Sequence, residues 1–124
     1  VLPAVSPDGK LIAIISIKDK KWVINIIPFD GGEPVKMFDT KRQSYKGGKF
    51  PLQWTPDGRA INYPVMSDHV SNIWRQPIDG GSPVQVTNFT TDQIFNFAFS
   101  PDGSQLAMSR GTFNSDVVLI ENAK

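Results

Sequence analysis

The sequence contains no cysteine and a single histidine, His69. Without cysteine there can be no disulfide bonds and no thiolate metal sites, and the cellular compartment stays open. One histidine and the lack of an Asp-x-Asp-x-Asp-Gly loop predict that neither zinc nor calcium is bound. No apolar run reaches the roughly 18–20 residues of a membrane-spanning helix, and the first residues lack the charged head and apolar core of a signal peptide.

Catalytic signatures are missing as well. The chain has no Gly-x-Ser-x-Gly elbow of a serine hydrolase, and it has none of the Gly-x-Gly-x-x-Gly, His-Arg-Asp and Asp-Phe-Gly sequences of a protein kinase. We interpret His69 as part of a Ser-Asp-His loop and Ser109-Arg110-Gly111 as a turn at the end of a strand. The sequence therefore predicts a protein that is not an enzyme, with no cofactor and no catalytic, cofactor-binding or metal-binding residue.

What the chain does have is a repeated tetrapeptide. Ser-Pro-Asp-Gly or Thr-Pro-Asp-Gly begins at residues 6, 55 and 100, so the copies are 49 and 45 residues apart, a spacing typical of repeat architectures. Proline sets φ for the second position of a type I turn, aspartate suits the third, and glycine accepts the positive φ that follows. The hydroxyl group at the first position can accept hydrogen bonds from the amides behind it. Each copy predicts a turn between two apolar strands, which explains Asp8, Asp57 and Asp102 better than a carboxylate cluster for a metal or for acid–base chemistry.

Asp-Gly-Gly, at 30–32 and 79–81, is a second repeated feature. Each copy begins 24 residues after the Ser or Thr of the preceding turn, so the first two units align over 27 residues without a gap. The third unit starts in the same way and reaches Lys124 where its own Asp-Gly-Gly is due. We therefore divide the chain 1–124 into blades 1–49 and 50–93 and an incomplete blade 94–124.

The first two units each have the pattern of four consecutive antiparallel strands, and the third has the pattern of three. In the first unit, 11–16 and 22–27 are almost wholly apolar, as expected for strands buried on both faces, whereas 34–40 alternates as an outer strand does. Pro64 predicts a bulge or the end of a strand. No segment shows helical apolar spacing with caps. Sheets that must bury both faces stack around an axis, so the predicted fold is all-β: a partial β-propeller of about three four-stranded blades, the last lacking its outer strand.

The turns, the Asp-Gly-Gly sequences and the third strands at Trp22 and Trp74 resemble the TolB-like propeller family, relatives of WD repeats, over the whole chain. The final part is similar to the C-terminal end of propellers in multidomain bacterial sensor proteins, where the propeller follows a serine/threonine kinase domain or a winged-helix DNA-binding domain. The segments that carry this second resemblance are 87–90, 94–97, 109–112 and 115–120. It implies a parent propeller of six or seven blades and a periplasmic or other extracytoplasmic location.

Two functions follow from the repeat, the missing catalytic residues and the resemblance. The first is a non-catalytic binding module of a bacterial signalling protein, which offers loops on one face, or the central channel, to a protein or peptide ligand. The second is an accessory propeller that gates a prolyl-oligopeptidase-like hydrolase. The fold by itself does not separate them.

Charge is distributed unevenly, although the net charge is only +1. Residues 1–49 carry nine Lys or Arg against five acids, and residues 50–124 carry four against seven. Basic loops could meet nucleic acid or an acidic protein, but exposed lysines near sheet edges also prevent aggregation; we interpret them in this second way and expect no nucleic acid to bind. The basic residues concerned are Lys18, Lys20, Lys21, Lys41, Arg42, Lys46 and Lys49.

The isolated chain is expected to self-associate, most simply as a homodimer. The strand predicted at 117–120 has no fourth strand beside it, and an open apolar edge pairs readily with another chain. The outer faces of blades 1–49 and 94–124 are also without a neighbouring blade. Two copies arranged head to tail would give a ring of about six blades, and exchange of strands between chains is the alternative.

Overall fold

The computed structural model describes residues 3–40, 51–112 and 115–122. Within these ranges all regular structure is β-strand, arranged in three antiparallel sheets, which confirms the predicted all-β fold. We call the sheets blade 1, blade 2 and blade 3 in chain order. The basic residues Lys41, Arg42, Lys46 and Lys49 lie outside the described residues.

Blade 1 and blade 2 each contain four strands in sequential order, and blade 3 contains three in the described part of the chain. Blade 1 consists of β1 (Ala4–Val5), β2 (Leu11–Lys18), β3 (Lys21–Pro28) and β4 (Lys36–Asp39). Blade 2 consists of β5 (Gln53–Trp54), β6 (Ala60–Ser67), β7 (Val70–Pro77) and β8 (Val84–Gln85). Blade 3 consists of β9 (Gln93–Phe99), β10 (Gln105–Thr112) and β11 (Ser115–Asn122).

The Pro-Asp-Gly turns join the first and second strands of each blade. In the first turn, the Gly9 amide donates to the Ser6 carbonyl at 2.9 Å, and the Leu11 amide donates to the Ser6 hydroxyl at 3.0 Å. Gly9, Gly58 and Gly103 have φ angles of 75°, 72° and 75°. The predicted turn chemistry, including the acceptor role of the hydroxyl group, is confirmed.

Because the strands are antiparallel, the connections alternate between the two ends of each blade. The turn end carries the Pro-Asp-Gly and Asp-Gly-Gly turns. The hairpin end carries the two-residue loops 19–20 and 68–69 and the crossing from blade 2 to blade 3 at 86–92. All four residues of the two loops have positive φ, from 50° to 65°. Positive φ at both central residues is the geometry of a type I′ turn, which matches the twist of the flanking strands.

The blades pack through two apolar joints. The first joint, between blade 1 and blade 2, brings side chains of β2 and β3 against those of β5 and β6. Ala13, Ile24, Ile61 and Tyr63 are 0% exposed in it. The second joint lies between blade 2 and blade 3. Its buried apolar side chains in the described part of the chain are Ile73, Ile94, Phe97, Leu106 and Met108.

Pro64 does not interrupt β6, so the expectation of a bulge or strand end there is wrong. Pro64 pairs in regular register with Ile73 of β7. On the other side, β5 pairs only with Ile61 and Asn62. Pro64 therefore lies beyond the end of that ladder, and its missing N–H leaves no hydrogen bond unmade there.

Ser109, Arg110 and Gly111 lie inside β10 and not in a turn, which corrects the interpretation from the sequence. The register with β9 shifts between Ser109 and Arg110, as in a β-bulge. Beyond the shift, Arg110 pairs with Ile94, and its guanidinium lies over the Phe89 ring. The glycine suggests a turn, but the ladder with β9 and the contact with Phe89 keep the segment extended.

Candidate functional site

At the turn end, the Pro-Asp-Gly turns of successive blades pack against one another. A Cβ placed on Gly58 would lie 3.7 Å from Cδ of Pro7, and one placed on Gly103 would lie 3.1 Å from Cγ of Pro56. The proline of each turn thus covers the glycine of the next, and the second contact is too close for an unstrained side chain. The repeat therefore connects neighbouring blades as well as neighbouring strands.

The aspartates of this row act as acceptors inside their own turns. Asp57 Oδ1 accepts hydrogen bonds from the Thr55 hydroxyl at 2.6 Å and from the Arg59 amide at 2.9 Å. The hydrogen bond from Thr55 is the main cause that lowers the pKa of Asp57, followed by the one from the Arg59 amide. Asp8 has equivalent contacts with Ser6 and with the amide two residues ahead, and its pKa is lowered for the same reasons.

Asp102 has a further donor. Its Oδ1 accepts from the Ser104 amide at 3.0 Å, from the Ser100 hydroxyl at 2.7 Å and from the Ser104 hydroxyl at 2.7 Å. These three hydrogen bonds, in that order of importance, lower the pKa of Asp102 to about 2. No group of three or more acidic or histidine side chains within the described ranges could hold a metal ion.

The second joint contains a polar cross-strand pair, Asn62 and Arg75. Asn62 is 0% exposed, and its Oδ1 accepts a hydrogen bond from Arg75 Nε at 2.9 Å. Its Nδ2 is buried and has no hydrogen-bond partner in the described part of the chain. Burial lowers the pKa of the Arg75 guanidinium, and the charge of Asp57 opposes this effect. A half-buried charge in the second joint is therefore oriented by a fully buried amide.

Arg75 opens onto a small groove at the turn end of the second joint, which we call the turn-end groove. The groove has a volume of about 180 Å³ and is lined by turn residues 55–57 and 102–103 together with Phe99 and Arg75. Two carboxylates, from Asp57 and Asp102, thus share it with one guanidinium. A groove of about 380 Å³ lies between the first two turns, and no arginine is among its described lining residues.

At the hairpin end, Asn72 fixes the crossing from blade 2 to blade 3. Its Oδ1 accepts hydrogen bonds from the Thr87 hydroxyl at 2.8 Å and the Phe89 amide at 2.6 Å, while its Nδ2 donates to the Phe89 carbonyl at 3.2 Å. From blade 3, the Arg110 guanidinium lies 3.4 Å from the centre of the Phe89 ring and donates to the Thr91 carbonyl at 2.7 Å. The crossing is therefore held by both blades.

A second groove, with a volume of about 490 Å³, lies beside this crossing, and we call it the hairpin-end groove. Val65, Val70 and Trp74 supply apolar lining, while Gln85 and Thr90 supply polar groups. Asp68 is the charged side chain among the described lining residues. An apolar wall with a few polar groups, built on paired strands, is typical of sites that bind peptides or small molecules.

His69 lies at the tip of the 68–69 loop, exposed and with a φ of 65°. It is not among the described residues that line the hairpin-end groove. The structure thus brings neither a metal site nor a catalytic pair to His69 in the part of the chain that it describes.

Sequence reasoning missed both grooves, although the repeat contains a signal for one of them. When the first two units are aligned, Asn62 and Arg75 stand 49 residues after Ala13 and Ile26. Two polar residues at positions that are apolar in the preceding unit would have marked the second joint. The hairpin-end groove has no such signal, because its lining comes from segments up to 25 residues apart (65–90) and depends on how the crossing is folded.

No protein-family model matches the chain. A curated relative, an uncharacterized protein of Agrobacterium fabrum, is 33% identical over 85 residues, which are 68% of this chain and 27% of that protein. The chain thus spans about a quarter of the length of the curated relative that it matches.

Solved structures share the fold at low identity. The structure of TolB from Acinetobacter baumannii superposes with a TM-score of 0.70 at 22% identity, over 98% of this chain and 29% of that one. The β-propeller domain of the Trilobed protease from Pyrococcus furiosus gives a TM-score of 0.65 at 14% identity, over 99% of this chain and 39% of that one. The fold is therefore part of a β-propeller similar to that of TolB. Because the second structure is a domain of a protease, such propellers also occur as parts of enzymes.

Proposed function

We propose that the chain is a recognition module in a larger bacterial sensor or signalling protein, where the propeller binds a protein or peptide and carries no chemistry of its own. The observation that carries the proposal is the hairpin-end groove of about 490 Å³, with its apolar wall and polar groups. The likeness to TolB supports a propeller that serves protein interaction. No helix in the described part of the chain is long and apolar enough to cross a membrane.

Most lining residues of the hairpin-end groove lie on the paired strands β6, β7 and β8, while Asp68, Phe89 and Thr90 come from the connecting segments. Trp74 lies within β7, where it pairs with Tyr63 of β6 and with Gln85 of β8. Gln85 Nε2 in turn donates to the Thr87 carbonyl at 2.8 Å. A ligand would therefore meet a wall that is already in position, so that less conformational entropy is lost on binding.

Each part of the groove has a role in this proposal. Trp74, Val65 and Val70 would bury an apolar side chain of the partner. Thr90 and Gln85 would exchange hydrogen bonds with its main chain. Asp68, exposed at the loop, would favour a partner with a basic side chain at that place.

Selection of peptides from a random display library on the immobilised chain, followed by calorimetric titration, tests the proposal. Thr90→Trp fills the groove and should weaken binding of the selected peptides by about tenfold or more. Asn88→Trp is the matched control, because Asn88 is also exposed, lies two residues away and is not among the described lining residues. Failure to select any peptide, or equal binding by both variants, would contradict the proposal.

An accessory role beside a hydrolase is the second candidate, favoured by the likeness to the propeller domain of the Trilobed protease. In that case, the coding sequence on one side of this chain should specify an α/β-hydrolase domain. A kinase or winged-helix domain there would support the sensor instead.

We also propose that the isolated chain self-associates, most simply as a homodimer. Val5 and Met37 are 49% and 45% exposed on the face of blade 1 that points away from the first joint. Exposed apolar side chains on a sheet face favour contact with a second copy. Light scattering should give a mass twice that of one chain, and a monodisperse monomer at high concentration would refute the dimer.

A further inference from the structure

We infer that the turn-end groove binds a small zwitterion of the free α-amino acid class, with its carboxylate on Arg75 and its ammonium group between Asp57 and Asp102. The groove lies at the opposite end of the blades from the hairpin-end groove. The inference is therefore independent of the proposed function.

The guanidinium of Arg75 is oriented so that it can bind a carboxylate in the groove. Its Nε donates to Asn62 Oδ1 at 2.9 Å, which fixes the plane of the guanidinium. Its two terminal nitrogens make no hydrogen bond to the described part of the chain, and Arg75 lines the groove. A planar fork with free N–H groups is the arrangement that binds a carboxylate through two parallel hydrogen bonds.

Asn62 is a polar residue buried in the second joint beside apolar side chains. It is 0% exposed, and its buried Nδ2 has no partner in the described ranges. A buried polar group without a partner is rare and calls for a reason. The preceding blade has the apolar pair Ala13 and Ile26 at the equivalent positions, so the repeat does not need a polar pair for folding. Orientation of Arg75 toward a ligand supplies the reason.

The charges of the groove select a ligand that carries both signs. Asp57 and Asp102 contribute two negative charges and Arg75 one positive charge. A simple carboxylate would bind Arg75 but face two carboxylates, and a simple amine would pair with these but face Arg75. A small molecule that carries both an ammonium group and a carboxylate can pair with the two aspartates and with Arg75 at the same time. The Oδ1 atoms of the two aspartates already accept hydrogen bonds within their turns, and each carboxylate has a second oxygen for the ammonium group.

Size and apolar lining agree with this class of ligand. The volume of about 180 Å³ suits a single amino acid better than a peptide, and Phe99 offers an apolar contact for a short side chain. The groove between the first two turns has the same kind of turn on each side but lacks an arginine among its described lining residues. It serves as an internal control within the same molecule.

The test is a titration of the ¹⁵N-labelled chain with L-alanine, followed by NMR. The amide resonances of Thr55 and Gly103 should shift and saturate, while those of Ser6 and Leu11, beside the control groove, should stay in place. L-Alaninamide lacks the carboxylate and N-acetyl-L-alanine lacks the ammonium group. Neither should give a saturable shift.

Arg75→Gln should weaken the binding of L-alanine by about tenfold or more, since it removes the fork and its charge. Arg59→Gln is the matched control, because it removes the same charge beside the same turn but Arg59 does not line the groove in the described structure. If Arg75→Gln does not fold, as judged from the dispersion of the spectrum, Arg75→Lys keeps the charge without the fork and should also weaken binding. The absence of a saturable shift, an equal response to N-acetyl-L-alanine, or an equal loss in Arg59→Gln would overturn the inference.

Discussion

Ala13 and Ile26 face each other across β2 and β3, and in the first joint they are 0% and 1% exposed. Forty-nine residues later, the equivalent pair is Asn62 and Arg75, which faces the second joint. At this place, one joint is closed by apolar contacts, and the other keeps a half-buried charge and an amide nitrogen without a partner in the described chain. Two repeats with the same strand order thus differ in what they offer to a ligand.

The apolar pair of the first joint and the polar pair of the second joint are expected to contribute differently to stability and to ligand binding. A buried aliphatic side chain contributes about 1.5–3 kcal/mol to folding, whereas a buried donor without a partner costs about 1–3 kcal/mol. We therefore expect the first joint, where the equivalent pair Ala13 and Ile26 is apolar, to be the more stabilising of the two. The second joint is the one whose polar pair places an arginine, Arg75, at the wall of a groove.

The largest loss of stability is expected when a charged side chain is introduced into the first joint. Ile26→Arg should destabilise the chain by about 3–5 kcal/mol, because the new charge would be buried among apolar side chains without a partner. Ile27→Arg is the matched control, since Ile27 lies next to it on the opposite, partly open face of blade 1. Chemical denaturation measures both, and equal losses would show that the two faces do not differ in burial as described.

Replacement of a turn glycine should cause the second largest loss of stability. Gly103→Val is expected to cost about 2–3 kcal/mol, because a β-branched residue is strained at a φ of 75° and its Cβ would also meet Pro56. Gly58→Val should cost about 1–2 kcal/mol, because Gly58 has a similar positive φ but a Cβ there would lie farther from its neighbour, Pro7.

Asp57→Asn is the control for the turn, because it keeps the backbone and an acceptor oxygen in place. It should cost less than either glycine variant in the same denaturation experiment. If it is the costliest of the three, the aspartate has a charge-dependent role that the turn does not explain.

Replacement of the polar pair in the second joint by an apolar pair should change the stability of the chain only slightly, and toward higher stability. Asn62→Ala combined with Arg75→Ile reproduces the pair of the first joint and should leave stability unchanged or raise it by about 1 kcal/mol, because it removes a buried polar pair. Arg75→Ile alone is the comparison, since it leaves Asn62 with neither atom paired and should be the less stable variant. A double variant that loses more than about 2 kcal/mol would mean that the polar pair is needed for folding.

The smallest change in stability is expected when the pH is lowered far enough to protonate Asp102. Because the pKa of Asp102 is lowered from 3.8 to about 2 in the folded chain, its contribution to stability is complete above the unfolded value and is lost as the pH falls through the folded one. The melting temperature should therefore decrease between pH 4 and pH 2. Asp102→Asn should reduce this decrease, and Ser104→Ala, which removes one donor of three, should reduce it less. An unchanged pH dependence in Asp102→Asn would contradict the assignment.

Local rules were enough to predict the turns. The Ser6 hydroxyl accepts from Leu11, and Gly9 has positive φ, as the tetrapeptide indicates. The same local rules failed at Pro64, where the short ladder of β5 decides the outcome, and at Arg110, which the Phe89 ring and β9 keep in an extended strand. In both cases the deciding contact comes from a distant part of the chain.

The candidate sites depend on such distant contacts even more strongly. The turn-end groove combines Asp57, Arg75 and Asp102 from two blades, and no spacing rule joins them. A single amide such as Asn62 in an otherwise apolar stretch of β6 gives no indication of its partner. The comparison of repeats would have marked it, since its equivalent is Ala13.

Native-state hydrogen exchange tests the difference between the joints most directly. Blade 1 and blade 3 each pack one face against blade 2, so their strands can be compared within one molecule. We predict that amides of β9 and β10 exchange through an opening of lower free energy than those of β2 and β3, and that Asn62→Ala combined with Arg75→Ile reduces the difference. One common opening free energy for all four strands, or a difference that the double variant leaves unchanged, would contradict the account.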